Sequence, residues 1–224
     1  MSEKHILVLL SGCGVFDGSE IHEAVIALLA LSKEGAKVTI TAPNKEQAHV
    51  INHQIGAPTD ESRNVLVESA RIARGPVLPL NEVNVSDYDA IFLPGGFGAA
   101  KNLNTFAFDG SSCTIDEQVE RVIREFHAQS KPIGACCIAP TVVVRALGCG
   151  IVTIGQDADT AEAIQAMGGK HLGCAVTEIA IDPVNKLVTA PAYMCDASLA
   201  DIAIGIEKAI IATIALTDPN TPCN

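Results

Sequence analysis

Short apolar runs alternate along the chain with longer stretches whose apolar residues recur at helical spacing. This is the pattern of a doubly wound α/β sheet, in which buried parallel strands read as continuous apolar segments. Ile6–Leu10 predicts a first strand. A helix then opens at Asp17 or Ser19 and runs to about Glu34, where Gly35 stops it. Val38–Ala42 predicts a second strand, and residues 61–74 a helix that ends before Gly75-Pro76. Ala90–Leu93 reads as a strand cut off by Pro94-Gly95-Gly96, with a helix following that glycine turn and another over Asp116–Gln129. Pro132–Cys136 predicts a strand that leads almost without a loop into a helix from Ile138 to Leu147. Val152–Ile154, a helix over Asp159–Met167 and a hairpin of Cys174–Ile181 with Lys186–Thr189 complete the expected sheet, and Ile202–Leu216 reads as a packed helix. No repeat or linker interrupts the pattern, so 1–224 is expected to be one domain.

Composition agrees with such a core. Hydrophobic residues make up 48% and aromatic residues 4%, with no Trp, so Val, Ile, Leu and Ala must fill the interior. The formal charge of −11, with no Lys/Arg cluster, argues against a nucleic-acid partner. No stretch has the length and apolarity of a membrane span, and the first apolar run lacks the features of a signal peptide. Eight cysteines (13, 113, 136, 137, 149, 174, 195, 223) are scattered through apolar segments instead of framing a short secreted scaffold. Free thiols, and hence a cytoplasmic protein, are expected.

Three segments carry candidate chemistry, and all three follow predicted strands. In Lys131-Pro-Ile-Gly-Ala-Cys-Cys-Ile-Ala-Pro140 a strand meets a helix at a turn. A thiol held there, facing the unpaired N–H groups of the next helix, is expected to ionise near neutral pH and act as a nucleophile. Cys136 and Cys137 compete for that role, and two small packing residues is the alternative. In Leu93-Pro-Gly-Gly-Phe-Gly-Ala-Ala-Lys-Asn-Leu103 the glycines let backbone N–H groups approach a ligand, so Gly96 and Ile138 could supply an oxyanion hole. The third segment, Ser11–Glu23, provides Glu20 and Glu23 near a helix start as possible acid–base partners, with Cys13 as a possible second thiol. Acids in a first helical turn that only complement the dipole are the plain alternative.

Cofactor motifs fail in the same segments. After Gly12 and Gly14 the third glycine of a dinucleotide fingerprint arrives late, at Gly18, and Gly96-Phe97-Gly98 is followed by Lys101 where the last glycine should stand. His22-Glu23 begins like a zinc-protease motif, yet Ile26 replaces its second His. No cofactor and no metal are expected.

Together SGCGVFDGSEIHEA, INHQIG, ESRNVL, LPGGFGAAKNL, CIAP, IGQDADTAEAIQAMG and VTAPAYM resemble the ThiJ/PfpI superfamily, of class I glutamine amidotransferase-like fold, and within it the isoprenoid-biosynthesis-associated ElbB branch. The likeness runs from about residue 5 to 216. It implies a flavodoxin-like three-layer sandwich, mostly parallel, with helices on both faces, and usually a homodimer. It assigns the nucleophile to Cys137 and leaves Cys136 as a variable neighbour. It favours Glu23, by its spacing to Gly35, without removing Glu20, and Gly96 and Ile138 match oxyanion-hole positions. True glutaminases of this fold carry a late His and Glu; here His171 is followed by no such pair, position 173 being Gly. Ile138 also stands where the peptidase-like branch has His directly after Cys. The resemblance therefore implies glutathione-independent glyoxalase chemistry, which takes small aldehydes such as glyoxal or methylglyoxal to glycolate or lactate. The alternative is a redox-sensing or regulatory protein with an oxidisable elbow cysteine.

Overall fold

The structure, a computed structural model, describes residues 3–218, so Cys223 lies outside the described residues. In chain order the elements are β1 (His5–Leu9), α1 (Ile21–Lys33), β2 (Lys37–Ala42), β3 (Ile51–Asn52), β4 (Ala57–Pro58), α2 (Val65–Ala73), β5 (Leu78–Pro79) and β6 (Ala90–Leu93). They continue with α3 (Phe106–Asp109), α4 (Glu117–Ala128), β7 (Ile133–Cys136), α5 (Pro140–Leu147), β8 (Ile151–Val152) and α6 (Ala158–Ala166). The last are β9 (Lys170–His171), β10 (Ala180–Asp182), β11 (Leu187–Ala190) and α7 (Leu199–Ala215).

Seven strands form the main sheet in the order β10-β11-β7-β6-β1-β2-β5, parallel throughout except for β10 on β11. Successive residues of β1 serve opposite layers, as the two-residue period of a strand requires. Ile6 and Val8 pack with Ala24 and Ala27 of α1 and Ile202 and Ile206 of α7. Leu7 and Leu9 pack with Val119 and Ile123 of α4 and Val142 of α5. Both faces of the sheet are therefore dry, which explains the unbroken apolar runs. The result is the flavodoxin-like sandwich expected from the sequence. From β1, chain order leads to β2 and β5 on one side, then returns to β6, β7 and β11 on the other. The reversal lies between β1 and β6, where the crevice above the carboxyl ends of the strands opens.

Several expected boundaries shift for local reasons. Helix α1 starts at Ile21 because neither Asp17 nor Ser19 is free to cap it. The Asp17 carboxylate accepts the Ile51 N–H at 2.7 Å, and the Ser19 hydroxyl accepts the Ser11 N–H at 2.9 Å. Glu20 caps instead, accepting the Glu23 N–H at 2.7 Å. The helix expected over 61–74 begins at Val65, behind the Asn64 cap. The helix expected after the glycine turn is a π-helix, Ala99–Leu103. Strand β8 does not join the main sheet; it pairs with β9 in a separate ribbon. Its neighbouring N–H groups are taken by side chains of the main sheet, Ile151 N by Asp182 and Thr153 N by Thr189. Of Cys174–Ile181 only the last two residues are strand, in β10, which ends one residue later at Asp182. The hairpin turn is held by Asp182, which accepts the N–H groups of Val184 and Asn185. The two-residue strands β3, β4 and β5 were not anticipated, being too short to carry a periodicity.

Candidate active site

Four loops meet above the carboxyl ends of β1, β6, β7 and β11. The first, residues 10–20, is drawn onto the second by backbone bonds from Phe97 N to Val15 O (2.7 Å) and from Gly98 N to Gly18 O (2.9 Å). Asn102, on the π-helix, donates to the carbonyls of both Ser11 and Asp17. The glycines of this seam are required by contact. A β-carbon on Gly95 would strike Cys137 Cβ, and one on Gly96, whose φ is +94°, would strike the backbone of Gly18 and Glu20.

Cys137 occupies the third loop with φ +58°, a left-handed conformation that L side chains seldom adopt. Cys136 closes β7, and the Cys137 N–H continues the ladder by donating to Ala190 O at 3.0 Å. The chain then turns, and Pro140 opens α5 where a missing N–H costs nothing. The turn aims two N–H groups at the Cys137 sulfur, those of Gly96 and Ile138. These are the two positions expected for an oxyanion hole.

Glu23 projects from the first turns of α1 and is wholly buried. Its Oε2 accepts the Gly95 N–H at 2.9 Å and a thiol hydrogen bond from Cys136 at 3.6 Å. Its Oε1 accepts the Tyr193 N–H at 3.2 Å, and its carboxyl also bonds with Cys137. Burial, and next the neighbouring charge of Glu20, push its pKa up to about 7. Burial and the Glu23 charge push the Cys137 thiol up as well, against the two N–H groups that favour its anion. The expectation of a free thiolate at neutral pH is therefore corrected: the helix end alone does not overcome burial beside a carboxylate. Burial and mutual repulsion work in the same direction on the two groups, favouring the neutral forms of both Cys137 and Glu23.

The remaining candidates separate clearly. Glu20 is spent in part as the cap of α1, but it also lines the cavity above Cys137. Cys136 touches Glu23 from within the sheet, and burial raises its pKa far enough to keep it a thiol donor. Cys13 does not join the site; its charged neighbours are Glu68, Arg71 and Asp17. His171 accepts the Ile154 N–H in the small ribbon and belongs to no triad here. Among the described residues no group of three or more His, Cys, Asp or Glu side chains is placed to hold a metal, and no helix is long and apolar enough to cross a membrane. Sequence reasoning missed Tyr193, which supplies the fourth loop: its N–H holds Glu23 and its hydroxyl lies 2.8 Å from His22 Nδ1. The preceding Ala192, at φ +46°, makes that turn, but alanine announces nothing in a sequence.

Cys137 and Ile138 form part of the wall of a cavity of about 420 Å³. Val15, Phe97, Phe106 and Met194 make most of it apolar, and Glu20, Asp157, Thr160 and Tyr193 add polar groups.

The order of the main sheet, with the crevice above β1 and β6, defines a protein of flavodoxin-like, amidotransferase-like fold. The model of the DJ-1/PfpI family matches residues 5–150, and the chain belongs to that family. The ES1 protein homolog of Rattus norvegicus, named mitochondrial, is 49% identical over 222 residues, covering 95% of this chain and 84% of that protein. The human glutamine amidotransferase-like class 1 domain-containing protein 3, also named mitochondrial, is 49% identical over 95% of this chain and 83% of its own length. Among solved structures, an isoprenoid biosynthesis protein with amidotransferase-like domain from Ehrlichia chaffeensis superposes with a TM-score of 0.88 at 39% identity, covering 94% of this chain and 98% of that one. The names of the rat and human relatives, and of the zebrafish ES1 protein, correct the cytoplasmic expectation. Free thiols argue for a reducing compartment, and that criterion does not single out the cytoplasm.

Proposed function

We propose that the protein is a cofactor-independent, glutathione-independent glyoxalase acting through Cys137 and Glu23. The observation that carries this reading is the contact of the buried Glu23 carboxyl with the Cys137 thiol, whose sulfur is faced by the N–H groups of Gly96 and Ile138. Burial pushes the Glu23 pKa up to about 7. A base poised near the working pH is what a carbon-acid step needs. The Cys137 sulfur adds to the aldehyde carbon of methylglyoxal, and its proton passes to the new hydroxyl, giving a hemithioacetal. Glu23 removes the proton from that carbon to form an enediol and returns it to the neighbouring carbon, giving a lactoyl thioester. Water hydrolyses the thioester to lactate and frees the thiol. Glyoxal gives glycolate by the same steps. The N–H groups of Gly96 and Ile138 suit the oxyanions formed on addition and on hydrolysis.

The test is acid production from both aldehydes by wild type, Cys137→Ala, Glu23→Gln and Cys136→Ala, without added thiol or metal. Loss in the first two variants and retention in the third support the reading; conversion no faster than that of Cys137→Ala in every protein discards it.

A second reading, reversible oxidation of Cys137 by peroxide in a regulatory protein, is favoured by one observation. The donors on the sulfur suit sulfinate oxygens as well as substrate oxyanions. Peroxide sensitivity without aldehyde turnover would select it. A link to isoprenoid synthesis rests on the name of the Ehrlichia protein alone. A homodimer is supported by the exposed apolar stripe Ile21, Val25 and Leu29 on α1, beside Ile204 and Ile211 of α7.

A further inference from the structure

The cavity above Cys137 is far larger than a two- or three-carbon aldehyde needs. Its volume of about 420 Å³ lies in the range that holds drug-sized ligands. Phe97 and Phe106 give it two aromatic walls, and Val15 and Met194 extend the apolar surface. Its charged lining is of one sign. Glu20 is 8% exposed, and among the described residues its carboxylate accepts a hydrogen bond only from the Glu23 N–H, through Oε2. Asp157, the other lining acid, caps α6 through Oδ1. Among the described residues no Lys, Arg or His lines the cavity, and none forms an ion pair with Glu20 or Asp157. The Lys101 ammonium lies over the Phe97 ring but donates to Phe16 O and is not part of the lining.

We propose that this cavity takes uncharged or cationic α-oxoaldehydes carrying an apolar or aromatic substituent, and that Glu20 is the specificity residue that excludes anionic ones. As a statement about substrates it rests on the glyoxalase reading; as a statement about the cavity it does not. A buried carboxylate without a cationic partner repels an entering anion strongly, because little water screens it. The aromatic walls attract a flat apolar substituent or a cation. Methylglyoxal leaves most of the cavity unfilled, so the binding that a larger substituent can add is not used.

Two matched pairs of probes test this and keep the two readings apart. The first is a pair of methanethiosulfonates, one with a trimethylammonium group and one with a sulfonate. The Cys137 sulfur attacks the thiosulfonate sulfur of either, forming a mixed disulfide and releasing methanesulfinate. The rate at Cys137 is followed by mass spectrometry, with Cys137→Ala as the blank. The cation-to-anion rate ratio of wild type is expected to fall roughly tenfold in Glu20→Gln, which keeps the cap of α1 but loses the charge. It is expected to stay unchanged in Glu117→Gln, a remote control for net charge. An equal ratio in wild type and a folded Glu20→Gln protein overturns the proposal.

The second pair is phenylglyoxal and 4-carboxyphenylglyoxal as substrates. Wild type is expected to favour the neutral compound in kcat/KM by roughly tenfold or more, and Glu20→Gln to close the gap. Turnover with no such preference overturns the proposal and leaves the glyoxalase reading standing. Absence of phenylglyoxal turnover by a protein that converts methylglyoxal overturns the substrate part of the proposal and leaves the glyoxalase reading standing. Absence of turnover of methylglyoxal as well, with the thiol-labelling ratio still dependent on Glu20, discards the glyoxalase reading and supports the charge selection of the cavity.

Discussion

The backbone N–H of Tyr193 donates to Oε1 of Glu23 at 3.2 Å, joining residues 170 positions apart in the chain. That bond, with the one from Gly95, fixes the plane of a carboxyl that would otherwise be free to turn away from Cys137. The turn that delivers Tyr193 depends on Ala192, buried at φ +46°. Ala192→Gly should leave stability within about 1 kcal/mol of wild type, since glycine takes this conformation without strain. Ala192→Val should cost about 2–3 kcal/mol and slow Cys137 modification, because a β-branched residue resists the left-handed region and overfills the site. Chemical denaturation together with thiol labelling checks both.

Glu23 also gives stability a pH dependence of unusual sign for a carboxylate. Its pKa is about 7 in the folded protein against about 4.3 in an unfolded chain. The folded state therefore binds more protons than the unfolded state between those values, and stability falls as pH rises through that window. The contribution is fully present below the unfolded value and is lost above about pH 7. Its size is on the order of 4 kcal/mol at most. Glu23→Gln should remove this slope, so that its melting temperature relative to wild type rises between pH 4.5 and pH 8. Parallel pH slopes in the two proteins would contradict the assignment.

Gly95 is packed directly against the Cys137–Glu23 pair. Its missing side chain makes room for Cys137 Cβ, Glu23 Oε2 and the Cys136 carbonyl. Gly95→Ala should destabilise by more than about 2 kcal/mol and abolish selective Cys137 labelling, because backbone and a buried carboxyl cannot both retreat. Gly75→Ala, where a new methyl meets nothing within 4 Å, should change stability by less than about 0.5 kcal/mol.

The layers of this fold and the elbow were legible because each rests on local chemistry. The apolar runs of β1, β6, β7 and β11 mark a sheet dry on both faces. Cys137 between a strand and Pro140, and the glycines at 95, 96 and 98, mark turns that few other residues can make. Side chains that bond far along the chain were not legible. Asp17 looks like a helix cap but is engaged by Ile51, and Val152 looks like a sheet strand but pairs with His171. The state of the Cys137 thiol departs from the sequence expectation for the same reason. Its helix end can be read from sequence, whereas its burial beside Glu23 is a product of four converging loops. Tyr193 and the charge of the cavity were invisible until those loops met.

The most direct test of the Cys137–Glu23 pair is to run methylglyoxal conversion in D₂O and examine the lactate. Glu23 in the role proposed takes a proton from one carbon and returns one to the next, and it exchanges with solvent between the two. Lactate from wild type should carry solvent deuterium at its second carbon, and Cys137→Ala and Glu23→Gln should form none above background. Lactate without solvent deuterium would contradict exchange at Glu23, leaving a direct hydrogen shift or return of the same proton. No lactate above the Cys137→Ala background would contradict the account outright.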